Sequence, residues 1–301
     1  MHNATPLTAS GVQTGPTMTS PVLFLFTDGR IRQADPASPH LLVTDWGASR
    51  GDGVFESVSV IEGRMPPLDD RLDRLVASAA ALDLPLPDRA LWAEAIARAI
   101  EAHDHVPRLA ITLALTRGVE GHGEAPSAWL LAKPARDFAT IRRSGISVVT
   151  LDRGYRSDAA EAAPWLLLGA KHLSYATNAA ALREAARRGA DDVIFTSTDG
   201  VALEGPTSSL IVRRGSRIVS PSLDSGILAG TTQAAVFAFF EANGFDTASV
   251  SVAAESLASA DGLWLVSSVR QAVAVHTLDG IPVPTDRDLT ERLNDWLAEQ
   301  K

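Results

Sequence analysis

The chain has 301 residues, 46% apolar and 21% charged, a soluble globular composition that suits one large domain or two ordinary ones. Its 27 basic and 36 acidic residues leave a net charge of −9, which argues against non-specific binding of nucleic acid or of an anionic membrane. The absence of cysteine removes disulfide scaffolds, thiolate zinc sites, iron–sulfur clusters and cysteine nucleophiles.

Residues 1–20 carry neither the basic nor the apolar region of a secretion signal, and read as the disordered tail of a cytoplasmic protein. No apolar run approaches the roughly 20 residues that span a bilayer. Order is expected from Pro21, where VLFLF, the turn Asp28-Gly29 and RIRQA form a hairpin. A second hairpin is expected from GVFESVSV, the turn Glu62-Gly63 and RMPPL. Leu68, Leu72, Leu75, Ala79 and Leu82 recur at spacings of three and four, which predicts an amphipathic helix. Leu-Pro-Leu-Pro ends it, a second helix covers 89–102, and RLAITLALTRG and AWLLAKP read as strands. The polar segment 134–144 breaks the pattern. It divides a small N-terminal α+β domain (21–136) from a larger C-terminal domain (137–301).

The second half restarts with ISVVTLD and an expected strand WLLLGAK over 165–171. An alanine-rich helix follows over about 174–188, with Gly189 as its C-cap. VIFTS, VALEG, SSLIVRR and RIVSPS then predict a run of antiparallel strands separated by glycine turns. A helix over 231–243 and the late strands LWLVSS and AVAVHTL complete the chain. Hairpins with helices interspersed indicate an α+β fold rather than a doubly wound parallel sheet.

Several motifs fail on inspection. GDGVFE lacks the third glycine of a dinucleotide fingerprint and precedes a strand, not a helix. His103 and His105 have no accompanying cluster of carboxylates or histidines, so a metal site there is disfavoured.

Four segments carry chemistry together. In GAKHLSYATNAA, Lys171 ends an apolar run, where desolvation lowers a lysine pKa and makes the amine nucleophilic. In VALEGPTSS, Glu204 precedes a hydroxyl cluster that includes Ser208, and its carboxylate suits a protonated heterocyclic nitrogen. Gly230-Thr231-Thr232 opens a helix, whose free N–H groups and hydroxyls suit a phosphate. Arg74, in LDDRLDRL, offers a charge-assisted contact to the same group.

In order and spacing this set resembles the class IV aminotransferases, pyridoxal-phosphate enzymes of fold type IV. That family includes branched-chain and D-amino acid aminotransferases and aminodeoxychorismate lyase. The resemblance runs from about Asp45 to His276 through RGDGVFE, LDDRLDRL, LTRG, GAKHLSYA, GADDVIF, VALEGPTSS, GILAGTT and LVSS. It implies two α+β domains with pyridoxal 5'-phosphate in the cleft between them, usually in a homodimer, and a small amino compound as substrate. By the same resemblance Lys171 is the Schiff-base lysine, and Glu204 the partner of the pyridine nitrogen. Arg74 would hold the phosphate with Ser208, Thr231, Thr232 and Ser268. The histidine that the family carries three residues before that arginine is Arg71 here.

The overall likeness implies cleavage of 4-amino-4-deoxychorismate to 4-aminobenzoate and pyruvate, a folate-precursor step. Transamination of D-amino or branched-chain amino acids is the alternative. After LTRG the lyases often carry a basic stretch that meets substrate carboxylates. This chain has GVEGHGEAPS, with His122 as the candidate cation.

Overall fold

The computed structural model describes residues 20–121 and 125–299; the expected tail, Ser20 apart, lies outside the described residues. β1 (Val22–Thr27) and β2 (Arg30–Ala34) pair as the first expected hairpin. Asp28 and Gly29 both take positive φ there, 51° and 71°, the backbone twist that a two-residue hairpin turn requires.

A short helix α1 (Trp46–Arg50) leads into β3 (Gly53–Ile61), followed by α2 (Asp69–Ala81) and α3 (Arg89–Ala102). β4 (Arg108–Thr116) and β5 (Ala128–Pro134) complete an antiparallel sheet of order β2-β1-β5-β4-β3. Leu72, Leu75 and Ala79 of α2 join Trp92, Ile96 and Ala99 of α3 in one core with Val54, Val58, Ile111 and Leu130 of the sheet. The expected second hairpin is absent. Arg64 makes only a single bridge to Ile61, and β3 instead pairs with β4 along its whole length. Pro66 and Pro67 have no N–H to give a strand ladder, which accounts for the difference.

The second half contains α4 (Ala139–Ser144), β6 (Ile146–Asp152), α5 (Ala159–Ala162), α6 (Ala176–Arg187) and β7 (Asp192–Thr196). β8 (Ser209–Arg214), β9 (Arg217–Pro221), α7 (Thr231–Ala242), β10 (Asp246–Val250) and β11 (Gly262–Ser267) follow. β12 (Gln271–Leu278), β13 (Ile281–Pro282) and α8 (Arg287–Glu299) end it. The sheet order is β10-β9-β8-β11-β12-β6-β7, with β13 added on β12. Its centre is antiparallel, whereas β10/β9, β12/β6 and β6/β7 are parallel pairs. Expected strand VALEG forms only isolated bridges, at Val201, Ala202 and Gly205.

Both faces of this sheet are covered, and the period-two alternation of the strands shows how. Leu210, Val212, Leu263, Leu265, Val273 and Val275 enter one apolar layer. Ile211, Trp264, Val266 and Ala274 enter the other, beneath Phe240 of α7 and Leu293 of α8. Helix α8 was not among the expected elements, although Leu289, Leu293 and Leu297 repeat at four residues and are all buried. Among the described residues no helix is long and apolar enough to cross a membrane.

The expected strand over 165–171 is not a strand. Pro164–Leu166 is a 3-10 turn, and Leu167 and Gly169 then take positive φ of 54° and 81°. That kinked path delivers residues 171–173 to the outer edge of β3. Phe55 N–H donates to the Lys171 carbonyl at 3.0 Å, and Leu173 N–H donates to the Gly53 carbonyl at 2.7 Å. The crossing is tight at Gly53. A Cβ there would lie 2.7 Å from the Leu115 carbonyl oxygen and 2.8 Å from a Leu173 methyl. Gly53→Ala should therefore lower stability by about 1–3 kcal/mol, read as an earlier urea midpoint with an unchanged slope.

Candidate active site

A cavity of about 600 Å³ opens where the two sheets' layers meet, and residues of both halves line it. Lys171, Glu204, Arg74, Ser208, Thr231, Thr232 and Ser268, scattered over the sequence, all line this one cavity. His122 lies outside the described residues.

Lys171 extends from the segment held against β3. Its Nζ stands 4.4 Å from the Phe55 ring centroid and 5.9 Å from that of Tyr175. Burial pulls the amine below the usual lysine range; Glu56 opposes that shift, Arg74 adds to it, and Glu204 opposes it again. Tyr175 is pushed up to about 12, chiefly by burial, so its phenol stays protonated beside the amine.

Glu204 is placed by backbone bonds on each side of it. Phe195 N–H donates to the Glu204 carbonyl at 2.9 Å, and Leu203 N–H donates back to the Phe195 carbonyl at 2.8 Å. Burial raises the carboxyl pKa, against the opposing pull of Arg153, the Leu228 N–H and Lys171. The Arg153 guanidinium is 3.5 Å from one carboxylate oxygen, and the Leu228 N–H donates to the other at 3.2 Å.

Arg74 is held on three sides. Its Nε and Nη2 donate to the two oxygens of Glu56, both at 2.8 Å, and Nη1 donates to the Ala229 carbonyl at 2.9 Å. A guanidinium has five N–H donors, so two remain for a ligand. Ala229 immediately precedes Gly230, the N-cap of α7, which offers no side chain to that helix start. Its first N–H groups are therefore left for an anion, together with the hydroxyls of Thr231 and Thr232. Ser208 and Ser268 add buried hydroxyls without a hydrogen-bond partner.

Sequence reasoning missed Glu56, which is fully buried and also accepts the Ser57 N–H at 2.7 Å. A signal was present, because Glu56 falls on the inward face of β3 between Val54 and Val58. Arg153, Arg136 and Arg270 also line the cavity and were missed. Arg270 is ion-paired with the buried Asp192, leaving its Nε and Nη2 without partners.

Residues 53–278 match the family model for amino-transferase class IV. The chain belongs to the class IV aminotransferase family. A bifunctional aminodeoxychorismate lyase / D-amino acid transaminase of Mycobacterium tuberculosis is 42% identical over 268 residues, which are 85% of this chain and 91% of that protein. A fold IV transaminase from Curtobacterium pusillum superposes with a TM-score of 0.89 at 50% identity, covering 93% of this chain and all of its own. A hypothetical aminotransferase of M. tuberculosis, in a PLP-bound form, gives 0.83 at 41% identity, covering 91% of this chain and 97% of its own. The fold is that of type IV transaminases, and the family's cofactor is pyridoxal phosphate. The cavity suits that group: a desolvated amine, a buried carboxyl, and a corner of unpartnered hydroxyls beside an arginine.

Removing one member of the buried Glu56–Arg74 pair leaves the other charge uncompensated. Glu56→Gln should cost about 3–5 kcal/mol in denaturant unfolding. The double variant Glu56→Met, Arg74→Met should cost less than the sum of the two single losses. Additive losses would mean that the pair is not coupled.

Proposed function

We propose that this enzyme cleaves 4-amino-4-deoxychorismate to 4-aminobenzoate and pyruvate, with Lys171 as the cofactor-carrying lysine. The observation that carries the pyridoxal-phosphate part of the reading, common to the lyase and the transaminase, is the convergence of a buried lysine, a buried carboxyl and a hydroxyl-rich helix start on one cavity. The 42% identical relative, whose name includes this lyase activity, supports the choice of reaction. When bound, the cofactor supplies an electron sink for the carbon that bears the substrate amine.

The chain's own residues do the rest. The Lys171 amine, whose charged form burial disfavours, accepts and returns the proton at the reacting carbon. Glu204 would meet the ring nitrogen. Burial has made its negative charge costly, and a cationic nitrogen opposite it restores that charge. Arg74, Ser208, Thr231, Thr232 and Ser268, which line the cavity, would hold the phosphate and so orient the ring. Arg136 and Arg270 supply cations in the cavity wall for the substrate's carboxylates.

The second reading is transamination of D-amino acids, favoured by the other half of the same relative's name. Both reactions would use the residues above and differ in the product released. A homodimer is the assembly we expect, with Leu42 and Val43, 59% and 89% exposed, as apolar surface for it.

Given 4-amino-4-deoxychorismate alone, the enzyme should release 4-aminobenzoate over many turnovers without a keto acid. Transamination instead needs a second substrate to restore the cofactor, and gives ping-pong kinetics. Turnover of D-amino acids that halts without a keto acid, with no 4-aminobenzoate formed, would replace the lyase reading by the second.

Lys171→Ala should abolish turnover and the borohydride-sensitive absorbance of the holoenzyme, while the far-UV circular dichroism is retained. Glu204→Gln should keep the cofactor and slow turnover about ten- to a hundredfold, the worth of one charge-assisted hydrogen bond. Normal rates in either variant would remove that residue from the mechanism.

A further inference from the structure

Two cavities meet at the start of α7. Thr231, Thr232, Ser267 and Ser268 line the main cavity and also line a second one of about 280 Å³. Arg74 lines the first. Arg71, one turn earlier on α2, lines the second. Two guanidinium groups on one helix face thus flank the same hydroxyl-rich corner from its two sides.

Arg71 is only 6% exposed, yet it makes no direct ion pair with a described carboxylate. Its Nη1 donates to the Pro67 carbonyl at 3.0 Å, and its Nε is buried without a partner. Burial is the main cause of its lowered pKa; Glu56 and Asp70 oppose the shift, and the neighbouring charge of Arg74 adds to it. A buried guanidinium with one neutral hydrogen bond is costly unless a ligand compensates it. A dianion in the corner would compensate Arg71 and engage the two free N–H groups of Arg74 together.

We propose that Arg71 is a second cationic ligand of the cofactor's phosphate, reaching the corner from the smaller cavity while Arg74 reaches it from the main one. The inference rests on the corner being the phosphate site. It also gives a meaning to the chain's departure from the family pattern, in which a histidine occupies this place. A histidine loses its charge near neutral pH, whereas an arginine keeps a fork of charged donors throughout. Binding of the phosphate therefore does not depend on the protonation of a side chain at this position.

The test is titration of the apo-enzyme with pyridoxal phosphate and with pyridoxal, followed by absorbance, for the wild type, Arg71→Gln, Arg71→Lys and Arg74→Gln. Arg71→Gln should weaken pyridoxal phosphate binding about ten- to a hundredfold and leave pyridoxal binding unchanged. Arg71→Lys should recover part of that loss, and inorganic phosphate should compete less well in Arg71→Gln than in the wild type. Equal losses for both ligands, or no loss for pyridoxal phosphate, would overturn the inference. If Arg74→Gln also leaves the preference for the phosphorylated ligand intact, the corner is not the phosphate site and the underlying reading fails as well. A large effect of Arg74→Gln with none from Arg71→Gln would sink the role of Arg71 alone.

Discussion

Glu56 is a carboxylate with no access to water, set among valines on the inner face of β3. Such a charge persists only with a partner, and Arg74 of α2 supplies both N–H groups that it needs. The pair fixes α2 over the sheet and leaves a third N–H of Arg74 to bond the Ala229 carbonyl. That carbonyl belongs to the other half of the chain, next to the residue that caps α7. A run of hydrogen bonds therefore ties the start of α7 to the N-terminal sheet. Buried ion pairs contribute little net stability, and the value of this one lies in position.

The electrostatics of the remaining site follow from desolvation. Burial pushes Lys171 towards the neutral amine and Glu204 towards the neutral acid, because the ionised form of each is costly in a desolvated cavity. Arg153 and Glu56 restrain these shifts without cancelling them. A ligand that brings its own anion to the corner and its own cation to Glu204 finds partners that water does not satisfy.

Much of this was legible in the sequence, and the failures have physical causes. Turn dipeptides such as Asp28-Gly29 and the helical spacing of Leu72, Leu75 and Ala79 are local signals, and both elements formed as expected. The run WLLLGAK misled because apolarity does not report extension. Trp165 is 75% exposed, and two left-handed residues bend the path towards β3. Helix α8 carried a legible spacing of four that went unread. Glu56 was legible as a charge on an inward strand position, but its partner was not. Arg153 and Arg270 carried no local signal, since only the packing of distant segments brings them to the cavity.

The lysine's backbone is hydrogen-bonded to β3, a strand made far earlier in the chain. Contacts of that sequence separation carry a loop-closure entropy cost that local contacts do not. The cavity, lined by residues of both halves, therefore exists only while those distant contacts hold. A ligand bound there acts by mass action on the folded chain alone, stabilising it by a free energy that grows as the logarithm of ligand concentration. A chain with an occupied cavity should therefore resist proteolysis longer than an empty one, whether or not it is turning over substrate.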